Sequence, residues 1–204
     1  MRYVAVNFDY VDRLTRKIAF EVIEDGYEPD CIVALAKGGW FVGRILSDYL
    51  GVQNLESLDV RGKGSVSCRR ALIVDDLINT GTTMRKALQV VEAEEVRTAA
   101  LFMLRESDFI PDYFAEYLWD YSWIIFPWNF VEDVSELVLN VLKERGEATK
   151  WTILSLLLSK YGLDPLSIEV SMPGRFDDVL SVLEARGKVE RVVVDGRVYW
   201  RFVE

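Results

Sequence analysis

The sequence predicts an α/β fold: a parallel sheet flanked by helices, followed by a small α+β domain. Short, continuous apolar runs are typical of buried parallel strands. Helical periodicities alternate with these runs along the first part of the chain, as expected when helices cover both faces of a sheet. The pattern changes near Gly146. The predicted domains are therefore residues 1–145 and 146–204.

The elements of the first domain follow from these two patterns. Apolar residues at helical spacing predict a helix over 9–24, and further helices are predicted over 40–50 and 82–93. The predicted strands are 31–35, 55–60, 71–74, 96–104 and 121–126. Ligands of parallel sheets bind beyond the carboxyl ends of the strands. We therefore expect the loops after Leu35, Val74 and Phe126 to meet at one edge.

The second domain combines helices with a two-stranded ribbon. Helices are predicted over 150–160 and 174–187, and alternating strands over 188–194 and 197–202. Asp195-Gly196 between the strands is a strong hairpin signal. This succession resembles a winged helix, so a winged-helix-like fold is predicted.

Composition narrows the function. The net charge of −9 does not favour attraction of polyanions over the whole surface. The chain has no histidine, which excludes histidine-based catalysis and metal ligation. Its two cysteines, Cys31 and Cys68, cannot build a zinc site alone. They are predicted to be two buried thiols, because a disulfide is disfavoured in a reducing cytosol and free cysteine is often buried.

The sequence also predicts the location of the protein. No stretch approaches the ~20 apolar residues of a membrane span. The first residues lack the charged and then apolar pattern of a signal peptide. A cytoplasmic protein without a membrane partner is expected.

One segment carries the strongest chemical signal. An apolar strand, 71–74, leads to Asp75 and Asp76. A polar turn and a predicted helix N-terminus follow; its residues are Asn79, Thr80, Gly81, Thr82 and Thr83. Backbone N–H groups and the helix dipole suit a phosphate monoester. The carboxylates suit ribose hydroxyls, or Mg²⁺ through water. The alternative is purely structural: the aspartates end a strand and Thr80 caps a helix.

This segment, Leu72 to Thr83, resembles the phosphoribosyl-pyrophosphate motif of type I phosphoribosyltransferases. The resemblance extends over about residues 1–140. Ala34 to Gly39 looks like the family's pyrophosphate loop. Ile124 to Trp128 is similar to the base-binding segment of purine phosphoribosyltransferases, especially the microbial xanthine-guanine and archaeal hypoxanthine-guanine enzymes.

The resemblance implies a reaction in purine salvage. A nucleobase displaces pyrophosphate from 5-phosphoribosyl-1-pyrophosphate (PRPP) and yields a nucleoside 5′-monophosphate, with Mg²⁺ as the cofactor. Asp75, Asp76 and Asn79 are the predicted catalytic residues, and the two aspartates are also the predicted metal ligands, through water. Lys37 and Gly38 are predicted to bind pyrophosphate. A homodimer is expected.

The base-binding residues follow from the same resemblance, with two departures from the family. Trp128 and Phe126 are predicted to lie near the base, where a flat ring offers stacking. Enzymes of this family that act on 6-oxopurines usually have an aspartate where this chain has Asn79, and asparagine cannot act as a general base. They often have a lysine that contacts the exocyclic oxygen. The nearest residue here is Arg105, whose fork is larger. The identity of the base is therefore open.

A third departure is the short loop 61–70. Related enzymes often have a long mobile lid there. This loop offers cations for pyrophosphate, namely Arg61, Lys63, Arg69 and Arg70. Three readings stay open: a reduced lid, a cover supplied by a partner subunit or by the C-terminal domain, or a domain that has lost catalysis.

Two functions compete with the enzyme. The first is a regulator that senses nucleotides and binds DNA through the winged helix. Residues 146–204 carry 8 Lys/Arg and 9 Asp/Glu, a net charge of −1, whereas DNA-binding modules usually have a basic face. We therefore predict that DNA binding is not the domain's main role. The other is a dimerisation or lid module.

Overall fold

The structure is a computed structural model that describes residues 2–62, 64–120 and 122–203. The chain divides into two compact units. One is Phe8–Tyr121, and the other combines Met1–Asn7 with Ser122–Glu204. The first unit contains most of the predicted α/β domain. The predicted boundary near residue 145 stays a prediction.

A five-stranded parallel sheet forms the centre of the first unit. Its strands lie in the order β3-β2-β5-β7-β8, and every neighbouring pair is parallel. Their bounds are β2 Cys31–Leu35, β3 Leu55–Leu58, β5 Arg70–Ile78, β7 Glu95–Leu104 and β8 Tyr113–Leu118. The helices are α1 Phe8–Glu24, α2 Gly39–Leu50 and α3 Thr82–Val90. The predicted α/β class is confirmed.

Alternate residues of the strands point to opposite faces of the sheet, which explains the continuous apolar runs. Val33 and Ile73 lie in the core that includes Met84 of α3. On the other face α2 packs closely. A Cβ added to Gly43 would lie 2.9 Å from Cβ of Ala34. Because helices cover both faces of the sheet, its accessible polar groups are in the loops at the strand ends.

Two predicted elements of this unit differ in the structure. The helix predicted to reach residue 93 ends at Val90, because Val91–Glu92 (β6) pairs with Val66–Ser67 (β4) in a small parallel sheet. The predicted fifth strand was wrong in its partner. Ser122–Ile125 (β9) pairs with Arg2–Ala5 (β1), and β8 takes the fifth place in the main sheet. The expectation that the loop after Phe126 follows a strand of that sheet was therefore wrong.

The second unit is built on helices. These are α4 Phe130–Arg145, α5 Lys150–Tyr161, α6 Pro165–Ser171 and α7 Arg175–Ala185. Apolar residues of all four helices share one core. The side chain of Thr149 caps α5 by accepting from the N–H of Thr152, and the side chain of Asp164 caps α6 by accepting from the N–H of Leu166 and Ser167.

A three-stranded antiparallel sheet completes this unit. Its order is β10-β12-β11, with bounds Glu147–Ala148, Arg197–Phe202 and Val189–Val194. Asp195 and Gly196 both have positive φ, 49° and 74°, as a two-residue type I′ hairpin requires. The predicted hairpin is confirmed. The helix α6, missed from the sequence, precedes α7 across a short turn that contains Gly174. The winged-helix fold itself stays a prediction.

Among the described residues, no helix combines the length and the apolar character needed to cross a bilayer.

Candidate functional site

The carboxyl end of β5 carries the two aspartates singled out in the sequence. β5 extends through both and ends at Ile78, because β7 pairs with it as far as Met103. The sequence predicted that the aspartates directly follow the strand. In the structure they lie within β5, close to its carboxyl end. The backbone N–H of Asp76 donates to Oδ1 of Asp75 at 3.0 Å.

The surroundings of Asp75 disfavour the charged form of its carboxyl group. Burial, and next the negative charge of Asp76, raise its pKa well above its usual range. Desolvation disfavours the charged form of a carboxyl group, and a like charge adds to the effect. Strongly shifted groups of this kind cluster at functional sites. The charged form of Asp75 therefore costs stability at this position.

The loop before α2 lies directly against Asp76. A Cβ added to Gly38 would come within 1.9 Å of Oδ2 of Asp76, and one added to Gly39 would come within 2.4 Å of the carbonyl oxygen of Val74. Only glycine permits this close approach. Lys37, beside Gly38, is exposed, and the Ala36–Lys37 peptide is cis. The structure thus brings the predicted pyrophosphate loop and the aspartates together.

The predicted phosphate turn follows β5 at the same edge. Gly81 precedes α3 in the left-handed region, with φ 74°. The hydroxyls of Thr80 and Thr82 are 2.8 Å apart, while Asn79, Thr82 and Thr83 are exposed. Because the first backbone N–H groups of a helix have no partners within the helix, this turn offers an anion site open to solvent.

Two residues that the sequence did not predict support the turn. Arg85 Nη1 donates to the carbonyl oxygen of Thr80 at 3.0 Å. The Arg85 guanidinium also lies 5.7 Å from the ring centroid of Phe109. A Cβ added to Gly81 would lie 2.1 Å from Cβ of Phe109. The position of Arg85 one turn into α3 could have drawn attention to it, whereas nothing in the sequence marks Phe109.

Asn79 and Arg105 follow neighbouring strands. Ile78 pairs with Met103, so Asn79 comes one residue after its strand and Arg105 follows Leu104, the last residue of the next. The backbone N–H of Arg105 donates to the carbonyl oxygen of Leu118, and its side chain is exposed. Asn79, a predicted catalytic residue, and Arg105, a predicted base contact, therefore begin at the same edge as the aspartates.

The other predicted base contacts belong to the second unit. Phe126 and Trp128 stack with ring centroids 4.7 Å apart and planes 8° from parallel. Phe126 is buried, and Trp128 is half-buried. Their role in holding a base stays a prediction.

The short loop supplies fewer cations than the sequence suggested. Arg69 pairs with Asp30 and Arg70 pairs with Glu95, at the amino-terminal end of β5. Asp75 lies five residues further, about 16 Å along an extended strand, so these two arginines lie at the opposite end of β5 from the aspartates, and their binding of pyrophosphate stays a prediction. Arg61, paired with Asp59, follows β3 at the carboxyl edge. Lys63 lies outside the described residues.

Comparisons with known proteins agree with this geometry. Residues 51–134 match the family model of the phosphoribosyl transferase domain. A purine phosphoribosyltransferase from Pyrococcus horikoshii is 28% identical with a TM-score of 0.52, and the match covers 63% of this chain and 95% of that one. Among curated proteins, none matches the chain.

Two further solved structures share the fold. The Helicobacter pylori xanthine-guanine-hypoxanthine phosphoribosyltransferase is 14% identical, with a TM-score of 0.54 and coverage of 66% of this chain and 99% of that one. A hypothetical protein from Neisseria gonorrhoeae with bound ppGpp is 18% identical, with a TM-score of 0.52 and coverage of 63% and 89%. About a third of this chain lies outside each match.

Proposed function

We propose that this chain, which carries a phosphoribosyltransferase domain of type I fold, transfers the phosphoribosyl group of PRPP to a purine base. The products are a nucleoside 5′-monophosphate and pyrophosphate. The observation that carries the proposal is the meeting of three features at one sheet edge: the paired aspartates, the glycine loop that touches Asp76, and the threonine-rich turn.

Each feature has a role in this reaction. A nitrogen of the base forms a bond to C1′ as the bond from C1′ to the pyrophosphate oxygen breaks. Asp75 and Asp76 accept hydrogen bonds from the ribose hydroxyls. The backbone of the turn 79–83 holds the 5′-phosphate. Lys37 and the backbone at Gly38 bind the departing pyrophosphate, where stabilising the developing charge lowers the barrier.

The site also fits Mg²⁺ that arrives with the donor. The described part of the chain has no group of three or more acidic or cysteine side chains placed to hold a metal ion. Mg²⁺ usually keeps several waters and binds one or two carboxylates plus substrate phosphates, which Asp75 and Asp76 can satisfy. When bound, Mg²⁺ neutralises charge on the leaving pyrophosphate.

A base panel tests the proposal. PRPP and Mg²⁺ are mixed with guanine, hypoxanthine, xanthine, adenine or uracil, and pyrophosphate release is measured. Release with at least one purine, and none with uracil, is the expected result. The matched control is Gly38→Ala, whose added Cβ overlaps the Asp76 carboxylate and should remove activity. Saturable PRPP binding without release for any base would identify a domain that binds but does not catalyse.

For the C-terminal module, residues 146–204, we propose contact with protein rather than binding of DNA. The charged residues that α7 exposes are all acidic: Asp177, Asp178 and Glu184. Such charges repel a phosphate backbone, because DNA affinity rests on neutralising phosphates. Large apolar side chains are exposed instead, with Trp151 73% and Val170 82% exposed. A titration with labelled duplex DNA at moderate salt, with and without nucleotide, should show no sub-micromolar binding.

A further inference from the structure

Phe109 lies against the phosphate turn at the point where the turn is tightest. Its Cβ would be 2.1 Å and its Cγ 2.9 Å from a Cβ placed on Gly81. Atoms at such distances leave no space for any side chain at position 81. The left-handed backbone of Gly81, with φ 74°, is therefore enclosed on its outer side by a residue almost thirty positions later in the chain.

Arg85 connects the ring to the same turn. Its guanidinium lies 5.7 Å from the centroid of the Phe109 ring, within the range of cation–π attraction. One of its nitrogens, Nη1, donates to the carbonyl oxygen of Thr80 at 3.0 Å. The backbone N–H of Arg85 donates to the carbonyl oxygen of Gly81 at 2.9 Å. Thr80 and Gly81 are thus both held by Arg85, and Arg85 contacts Phe109.

The loop that carries Phe109 is itself fixed at several points. Ser107 Oγ donates to the carbonyl oxygen of Phe109 at 2.9 Å, and the backbone N–H of Phe109 donates to Ser107 Oγ at 3.1 Å. At the far end of the loop, Asp112 accepts from the N–H of Thr98 at 2.8 Å and from its hydroxyl at 2.7 Å. The ring therefore reaches Gly81 from a constrained loop.

We propose that Phe109 is a positioning residue for the phosphate turn. The side chain of Phe109 packs on Gly81, and Arg85 connects its ring to Thr80. These contacts keep the N–H groups of the turn directed at one point. The proposal rests on the proposed function, because the anion is the 5′-phosphate shared by PRPP and the nucleoside monophosphate. Phe109 acts through Gly81 and Thr80, and its ring needs no contact with substrate.

The first experiment compares Phe109→Ala with Ile110→Ala. Ile110 is next in the same loop but is 72% exposed, so it is a matched control. Phe109→Ala should raise the KM for PRPP and the Kd for nucleoside monophosphate on the order of tenfold to a hundredfold, the scale of a misplaced binding group, with a much smaller change in kcat. Phe109→Tyr should restore both values, and Ile110→Ala should change neither.

The second experiment tests the contact itself with a double-mutant cycle. Gly81→Ala should weaken monophosphate binding strongly in the wild type. It should add less loss in a Phe109→Gly background, because the atoms that its Cβ would meet are gone. Contacting residues show such non-additive effects, whereas independent ones add.

The outcomes separate this proposal from the proposed function. Normal KM and Kd in a folded Phe109→Ala variant, with strong loss in Gly81→Ala, would overturn the role of Phe109 and leave the site intact. Unchanged binding in Gly81→Ala as well would count against the phosphate site as a whole. If Phe109→Ala does not fold, Phe109→Leu keeps Cβ and Cγ against Gly81 but removes the ring that Arg85 contacts. A raised KM and Kd in this variant would support the role of the ring, and normal values would overturn it.

Discussion

The sheet edge around Asp75 and the C-terminal helices α5–α7 follow opposite rules. At the sheet edge, the half-buried carboxyl group of Asp75 lies beside that of Asp76, and a Cβ added to Gly38, Gly39 or Gly81 would overlap neighbouring groups. In the C-terminal module, the polar side chain of Thr149 caps one helix and that of Asp164 another. The exposed acids of α7 include Asp177, which is paired with Lys150.

The sheet edge thus has features that folding alone does not explain, whereas helix capping and packing explain the C-terminal helices. Strain and buried charge persist when function needs them and the surrounding structure compensates. A module in which local signals and packing agree needs no ligand to explain it. Changes at the sheet edge should therefore harm binding more than stability, and changes in the module should do the reverse.

The largest effect should come from removing both carboxylates at the edge. Asp75→Ala with Asp76→Ala should abolish detectable PRPP binding by calorimetry, a loss of at least about a hundredfold, since hydrogen bonds to charged groups contribute about 1.5–3 kcal/mol each. Circular dichroism should show an intact fold. Unchanged affinity in the folded double variant would refute the assignment of the donor site.

Two glycines with the same backbone conformation allow a direct test of the difference between the two regions. Gly81 and Gly174 both precede a helix with positive φ, 74° and 76°, but only Gly81 has a neighbour within 4 Å of an added Cβ. Both alanine variants should lose about 1 kcal/mol of stability from the left-handed backbone, and Gly81→Ala should lose more, because its Cβ would overlap Phe109. Only Gly81→Ala should also weaken monophosphate binding, by tenfold or more. Equal binding in both variants would contradict the phosphate site.

Asn79 offers a gain rather than a loss. If the base is a 6-oxopurine and proton transfer limits turnover, Asn79→Asp should raise kcat, towards part of the ~10²–10⁴ that a positioned general base contributes. The rate should then rise with pH as the new carboxyl group ionises. A flat or slower profile would mean that another group handles the proton, or that chemistry is not rate-limiting.

The smallest expected effect is a change in Tm. Its sign differs between a variant of Asp75 at the sheet edge and a variant of Asp164 in the C-terminal helices. The pKa of Asp75 is raised by burial, so its contribution to stability is present below its unfolded pKa and is lost as pH rises through its folded pKa. Asp75→Asn should therefore raise the Tm at neutral pH, and this gain should shrink towards acid. Each kcal/mol corresponds to about 2–4 °C in a chain of this size.

Asp164 is the control for that measurement. Hydrogen bonds, first from the Ser167 side chain, lower the pKa of Asp164. Its contribution to stability is thus present above its unfolded pKa and is lost as pH falls through its folded pKa. Asp164→Ala should lower the Tm at neutral pH, and the difference should narrow in acid. A Tm gain for Asp164→Ala, or a loss for Asp75→Asn, would contradict the contrast between the two regions.

Much of this protein follows from local patterns in the sequence. The helical repeat before Gly26 predicted α1 to within one residue, and the apolar run Cys31–Leu35 predicted β2. The turn signal at Asp195-Gly196 predicted the hairpin. The segment from Leu72 to Thr83 predicted a phosphoribosyltransferase domain. These features depend on neighbours in the chain, so the chain alone reveals them.

The features that depend on distant residues are visible only in three dimensions. Strand order is one, because β9 is apolar enough for the main sheet but pairs with β1. The positions of Arg69 and Arg70 are another: their charge is visible in the sequence, but the length and direction of β5 place them at its other end. The contact of Phe109 with Gly81 is the third. Packing between remote segments leaves no local period or spacing in the sequence, and for that reason a three-dimensional structure was needed to find it.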